Sequence, residues 1–245
     1  MINIKNVSKI YKKGNKVIDN INLEIKDGEI FGFLGPNGAG KTTTIKMITG
    51  VLDIDDGDIF IDENSIINNP IEAKKHIGYV SDNPDMFLKL KGIEFLNFIA
   101  DIYEVPENLR ADRIEKLTKE FDIYNVLNDK IQSYSHGMRQ KIIIVSVLLH
   151  NPKNWILDEP LTGLDPKSSY YLKNKMKEHA QKGNSVFFST HILEIAEKLC
   201  DRVGIINNGK ILFVGTIDEL REAKKQNASL EELFMEITKV DEENY

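Results

Sequence analysis

The chain has 245 residues, 41% of them hydrophobic and 29% charged; this is enough for one large α/β domain with a sizeable core and too apolar for a disordered chain. Its formal net charge of −6 argues against a nucleic-acid partner held by a general basic field, so none is expected. A single cysteine, Cys200, excludes an intrachain disulfide and points to a reducing, cytosolic setting.

Met1 leads directly into an alternating segment, so no signal peptide is expected. Ile21, Leu23 and Ile25 alternate with polar residues, the pattern of a half-buried strand. Asp27-Gly28 marks a turn, and Glu29 to Leu34 forms a short apolar run suited to a buried strand. A glycine-rich loop and a helical stretch follow. Asp55-Asp56-Gly57-Asp58 marks another turn before Ile59-Phe60-Ile61. From about Lys91 to His150 the pattern turns helical: Phe95, Phe98, Ile99 and Ile102 fall at three- and four-residue spacings, Pro106 breaks the helix, and Ile114, Leu117 and Phe121 continue in a second one. Trp155-Ile156-Leu157 is a buried strand, Pro166 opens a helix, Ser185 to Thr190 is a strand again, and a charged helical tail follows Thr216. Strands alternating with helices predict a mainly parallel sheet covered by helices, with the helical block inserted into it. The longest apolar run, Ile142 to Leu149, is far below the roughly 20 residues that cross a bilayer. Work on a membrane would therefore need a partner that spans it.

Gly35-Pro36-Asn37-Gly38-Ala39-Gly40-Lys41-Thr42-Thr43 matches the phosphate-binding loop pattern between a strand and a helix. Triphosphate oxygens need many donors on a concave surface. Glycines let successive backbone N–H groups converge, and the helix start adds partial positive charge. Lys41 would meet the β- and γ-phosphates, and the Thr42 hydroxyl would ligate Mg²⁺. The second motif, Trp155-Ile156-Leu157-Asp158-Glu159-Pro160, ends a buried strand in two carboxylates, where a parallel sheet presents groups to its ligand crevice. Asp158 would hold Mg²⁺ through its water shell, and Glu159 would act as general base on the attacking water.

Tyr134-Ser135-His136-Gly137-Met138-Arg139-Gln140, between these two motifs, resembles the signature of ATP-binding cassette proteins. That resemblance extends over nearly the whole chain. It implies a phosphate-loop NTPase core with an N-terminal antiparallel β-subdomain and an inserted α-helical subdomain. It also implies a nucleotide-binding domain over residues 1–220, with the helical part at about 91–150, and a helical tail at 221–245. By the same resemblance Ser135, His136 and Gly137 would grip the γ-phosphate of ATP held by a second subunit. Asp165, in Leu161-Thr162-Gly163-Leu164-Asp165, would sit at the interface. His191, after Ser189-Thr190, would be the catalytic switch histidine, and Tyr11 would stack on adenine.

Three residues depart from the family pattern. Asp82 aligns where glutamine is usual beside Mg²⁺ and the attacking water, and a carboxylate there can still ligate the ion. His136 replaces a glycine and Met138 a glutamine. The Ser-Xaa-Gly-Met form, with the tail Ser229 to Thr238, resembles ATPase subunits of bacterial drug, lantibiotic or sodium exporters. The expectation is an ATP- and Mg²⁺-dependent ATPase that works as a homo- or heterodimer. It would dock on a transmembrane permease subunit, peripheral on the inner face of the cell membrane. A non-transport ATPase of the same fold, with a regulatory or nucleic-acid or ribosome role, is the alternative.

Overall fold

The computed structural model describes residues 1–11, 14–223 and 229–240. An antiparallel sheet comes first, with strand order β2-β1-β4-β5: β1 (Ile2–Tyr11), β2 (Asn15–Ile25), β4 (Asp56–Ile61) and β5 (Asn64–Ser65). The second sheet contains β3 (Ile30–Leu34), β6 (Ile77–Val80), β7 (Asn154–Asp158), β8 (Ser185–Thr190), β9 (Arg202–Asn207) and β10 (Lys210–Gly215), in the order β10-β9-β3-β8-β7-β6. All its pairings are parallel except β10 against β9.

The central strands are apolar on both faces because both faces are covered. In β8, Val186 and Phe188 enter the core shared with the helical block, while Phe187 points to the opposite core against Phe31 and Phe33. In β7, Trp155 and Leu157 go one way and Ile156 the other. This two-residue period sandwiches the parallel sheet between α1 (Lys41–Ile48), Ala73 and the antiparallel sheet on one side and the helical block on the far side.

Between β6 and β7 the chain leaves the sheet to form α3 (Gly92–Ile102), α4 (Glu107–Glu120) and α5 (His136–His150). The spacing of Phe95, Phe98, Ile99 and Ile102 predicts the helix but not which side is covered. Phe95, Leu96 and Ala100 are buried, whereas Phe98 is 43% and Ile102 55% exposed. Pro106 is the N-cap of α4, and buried Phe121 ends it. A short helix, α2 (Pro70–Lys75), precedes β6.

After β7 come α6 (Pro166–Gln181) and, beyond β8, α7 (Leu193–Leu199). The tail forms α8 (Ile217–Ala223) and α9 (Leu230–Val240), whose Leu220, Leu230 and Leu233 bury against Ala196 of α7 and Leu34, Val203 and Ile205 of the sheet. Residues 224–228 and 241–245 of the predicted tail lie outside the described residues.

The start of β7 is fastened to α6 through His179, whose ring stacks on Trp155 at 4.0 Å and whose Nε2 lies 3.1 Å from the Lys153 carbonyl oxygen. Burial lowers the His179 pKa from its ordinary 6.5 to about 4. The unfolded chain therefore binds a proton there that the folded chain resists, so this contribution is complete above about pH 6.5 and is lost as the pH falls towards 4. We expect the urea midpoint to fall over that interval, and His179→Gln to flatten that part of the profile, as measured by unfolding at a series of pH values.

Candidate active site

The register of the parallel strands brings the separate motifs to one end of the sheet. Leu34, the last residue of β3, pairs with Thr190 of β8, and Asp158, the last of β7, pairs with Ser189. The loop after β3, the two carboxylates and His191 therefore emerge side by side at the carboxyl edge, where open α/β sheets hold their ligands.

The loop from Gly35 runs into the N-terminus of α1. Gly40 is the N-cap in a left-handed conformation, φ 111°, and an added Cβ there would stand 2.5 Å from Ile18. Only glycine fits both conditions. A distant turn braces the loop: the Gly209 N–H donates to the Ala39 carbonyl at 3.0 Å, and the Asp19 N–H donates to the Gly209 carbonyl at 2.9 Å. Gly209, φ 74°, packs so closely on the Val17 backbone that a Cβ would clash with it. The Lys41 ammonium is turned into the loop, donating to the carbonyls of Gly35 at 2.7 Å and Pro36 at 3.2 Å. Burial lowers its pKa, and the nearby carboxylates of Glu159 and Asp158 oppose that shift.

Asp158 and Glu159 are consecutive but differently placed. Asp158 is fully buried. Its Oδ1 accepts from the Ser189 hydroxyl at 2.6 Å, while Oδ2 is buried without a partner. Burial pushes its pKa up; the Ser189 and Thr42 hydroxyls draw it down, and Asp82 and Glu159 push it up again. Glu159 takes a left-handed φ of 47°, a costly conformation for a residue with a side chain and one that functional sites concentrate. Its N–H donates to the same Ser189 hydroxyl at 3.0 Å, and its Oε2 lies 3.0 Å from Nδ1 of His191.

A cleft of about 260 Å³ is lined by Val17, Pro36, Asn37, Gly38, Gly40, Lys41, Thr42, Thr43, Asp82 and Glu159. Nine of these ten lining residues, all but Val17, are ones singled out in the sequence. Gly35 and Ala39 are buried behind the cleft. Asp82 accepts from the Ser81 hydroxyl at 3.1 Å. Tyr11 is exposed at the end of β1, paired with Asn15 on the hairpin that also supplies Val17. A larger cavity, about 720 Å³, lies between α3 and α4 and shares no residue with this cleft.

The Ser135 group does not line the cleft. Ser135 is the N-cap of α5, its hydroxyl accepting from the Met138 N–H at 3.3 Å, and Ser135 and His136 are exposed. Gly137 is packed against the loop that carries Asp165: a Cβ at 137 would lie 2.6 Å from the Gly163 carbonyl oxygen. Asp165 caps α6, accepting from the Ser168 N–H at 3.0 Å, and pairs with Lys141 of α5 at 2.6 Å. The Lys141 ammonium and the Ser168 bonds hold its carboxyl well below the usual range. Its role within the chain is to join the start of α5 to the start of α6.

The donors around the cleft suit a hard divalent cation. The Thr42 hydroxyl and the carboxylates of Asp158 and Asp82 offer oxygen only, and the Asp158 Oδ2 atom, buried and unpartnered, is the kind of acceptor that an ion with its water would satisfy. Among the described residues no cluster of three or more His, Cys, Asp or Glu side chains could hold an ion alone.

A family model described as "ABC transporter" matches residues 18–162. The chain belongs to the ABC transporter family. It is an ATP-binding subunit of that family and an ATPase. It is 34% identical to the ABC-type transporter ATP-binding protein EcsA of Bacillus subtilis (strain 168), over 98% of each chain. It is 34% identical to the linearmycin resistance ATP-binding protein LnrL of the same organism, over 90% of this chain and 70% of LnrL. A solved ATP-binding subunit of an ABC transporter superposes with a TM-score of 0.93 at 33% identity, covering 97% of this chain and 99% of the other. A dimeric ATP-binding cassette in a post-hydrolysis state, bound to ADP and Pi, superposes with a TM-score of 0.79 at 25% identity, covering 89% and 99%. Among the described residues no helix of this ABC ATPase is long and apolar enough to cross a membrane.

The role of Ser189 is not apparent from its motif, where it stands beside the more conspicuous His191. The available signal is a hydroxyl that directly follows the apolar run Val186-Phe187-Phe188 within the strand. Ser189→Ala removes the donor to a buried carboxylate and the acceptor for the Glu159 N–H. We expect a loss of about 1–3 kcal/mol, measured by urea unfolding of the nucleotide-free chain, with ATP turnover reduced as well.

Proposed function

We propose that the chain powers outward transport through a separate membrane-spanning partner, working in pairs that close on two ATP molecules. The observation carrying this reading is that the site is divided. Lys41, Thr42, Asp82 and Glu159 line one cleft, while the exposed helix start at Ser135 stands outside it with donors free to meet a ligand of a second copy. The ADP- and Pi-bound dimer among the similar structures supports pairing. The linearmycin-resistance relative supports export, since resistance is what outward movement of a toxic compound gives.

In this reading ATP enters the cleft with its base beside Tyr11. Its phosphates take the place of the Gly35 and Pro36 carbonyls as partners of Lys41, and they accept from the loop N–H groups. Thr42, Asp158 and Asp82 would hold Mg²⁺, which supplies charge neutralisation on the β- and γ-phosphates. Glu159, oriented by its contact with His191, accepts a proton from the water whose oxygen attacks the γ-phosphorus, and the bond to the β-phosphate oxygen breaks. Ser135, His136 and Gly137 of the second copy complete the γ-phosphate shell, and Asp165 lies at the seam. ATP favours the closed pair because only that pair makes both sets of contacts, and loss of the γ-phosphate releases it. The segment from Asp82 to Leu90, with its exposed Phe87 beside the exposed Phe98 of α3, faces the membrane partner and passes the motion on.

Glu159→Gln is expected to lower turnover by roughly two to four orders of magnitude, the usual span for general acid–base catalysis, while an ATP-bound dimer accumulates in size-exclusion chromatography. Unchanged phosphate release would remove Glu159 as the base. Lys41→Ala should instead weaken nucleotide binding in equilibrium dialysis, and parental affinity would take Lys41 out of the site. Affinity purification from membranes should recover a multi-spanning protein. Recovery of ribosomes or DNA in its place would overturn the transport reading.

A further inference from the structure

The chain that follows Asp82 returns to the segment just ahead of Ser135 and bonds to it. The Ile131 N–H donates to the Leu90 carbonyl at 2.9 Å, the Gln132 N–H donates to the Leu88 carbonyl at 2.9 Å, and Lys91 bridges to Lys130. Deeper in the block, the Ile93 N–H donates to the Leu127 carbonyl at 2.9 Å. Two stretches some forty residues apart in sequence thus lie edge to edge: one leads away from the cleft residue Asp82, the other leads into the helix start at Ser135.

Arg139, in the first turn of α5, closes this arrangement. Its guanidinium donates to the Ile131 carbonyl at 3.3 Å through Nε, to the Gln132 carbonyl at 2.8 Å through Nη2, and to Asp85 Oδ1 at 2.6 Å through Nη1. One planar fork therefore holds the helix, the turn before it and the loop after Asp82. The Asp85 N–H, in turn, donates to Asn83 Oδ1 at 3.0 Å, fixing the loop beside Asp82. The arginine side chain is 21% exposed and Asp85 49%, so the ion pair adds little to global stability. Its effect is on geometry.

We propose that Arg139 and Asp85 are positioning residues that make the Asp82 loop and the Ser135 helix start move as one body. The proposal rests on the paired reading given above. When bound ATP and its ion engage Asp82 in the cleft, the Arg139–Asp85 link carries the α5 start to the angle at which Ser135 and Gly137 meet the nucleotide of the second copy. Without the link the loop can answer ATP while the helix start lags behind. The cradle around Lys41 touches neither residue, so it binds ATP as before.

The test uses the full chain carrying Glu159→Gln, with ATP and Mg²⁺, and reads two quantities. Affinity of the dilute, unpaired chain for a fluorescent ATP analogue reports the cradle. Sedimentation over a range of protein concentrations reports the dimer dissociation constant. Adding Asp85→Ala should leave the first unchanged and raise the second roughly two- to thirtyfold, the span of coupling effects from residues that touch neither ligand. Asp85→Glu should restore most of the pairing. Equal pairing with and without Asp85→Ala overturns the proposal, as does a loss of affinity for the ATP analogue alongside the rise in the dimer dissociation constant, which would mark a merely structural role. If the Glu159→Gln chain with Asp85 intact fails to pair at all, the paired reading falls and this inference with it.

Discussion

The fold depends on a carboxylate with no access to water. Asp158 ends a central strand whose every residue is buried, and a buried carboxylate survives only where hydrogen bonds compensate its lost hydration. The observed bond comes from Ser189, the residue beside it on the adjacent strand, and the Thr42 hydroxyl at the start of α1 lies near enough to draw its pKa down further. The parallel register of β3, β8 and β7 is thus fixed by apolar packing and by the need to serve one charged group. The Ser189 hydroxyl also receives the Glu159 N–H, so the same bond network that holds Asp158 sets the direction in which Glu159 leaves the strand.

That turn is what distinguishes two chemically similar neighbours. With φ at 47° the chain reverses immediately after Asp158 and carries the Glu159 side chain up to the cleft wall, within reach of His191. One acid is left in a dry environment with a raised pKa and an unmatched oxygen, suited to an ion. The other is left at the edge of solvent, suited to handling a proton. Consecutive positions acquire different chemistry from backbone geometry alone.

Much of this was legible in the sequence because it is local. Glycines between an apolar run and a helix, and an Asp-Glu pair closing another apolar run, encode their geometry within a few residues. Ser135 as a helix cap is equally local. The period of Phe95, Phe98, Ile99 and Ile102 was legible as a helix, yet it could not tell which side the core would cover. Phe98 and Ile102 belong to the same apolar pattern as Phe95 and remain exposed, because the helices that cover α3 approach from the other side. Least legible were contacts between segments distant in the chain: α2, α7 and the β9–β10 hairpin carry no motif, and neither Ser189 beneath Asp158 nor Gly163 against Gly137 follows from any spacing.

The hairpin turn at Gly209 illustrates what such distance means in practice. It belongs to no nucleotide motif and lies some 170 residues from the loop it supports, yet its amide is bonded to Ala39 and its α-carbon has no room for a side chain. A lesion there would present in the laboratory as defective nucleotide retention in a chain whose diagnostic motifs are all intact. Variants of this enzyme sorted only by their motif residues would therefore include inactive ones with no visible cause.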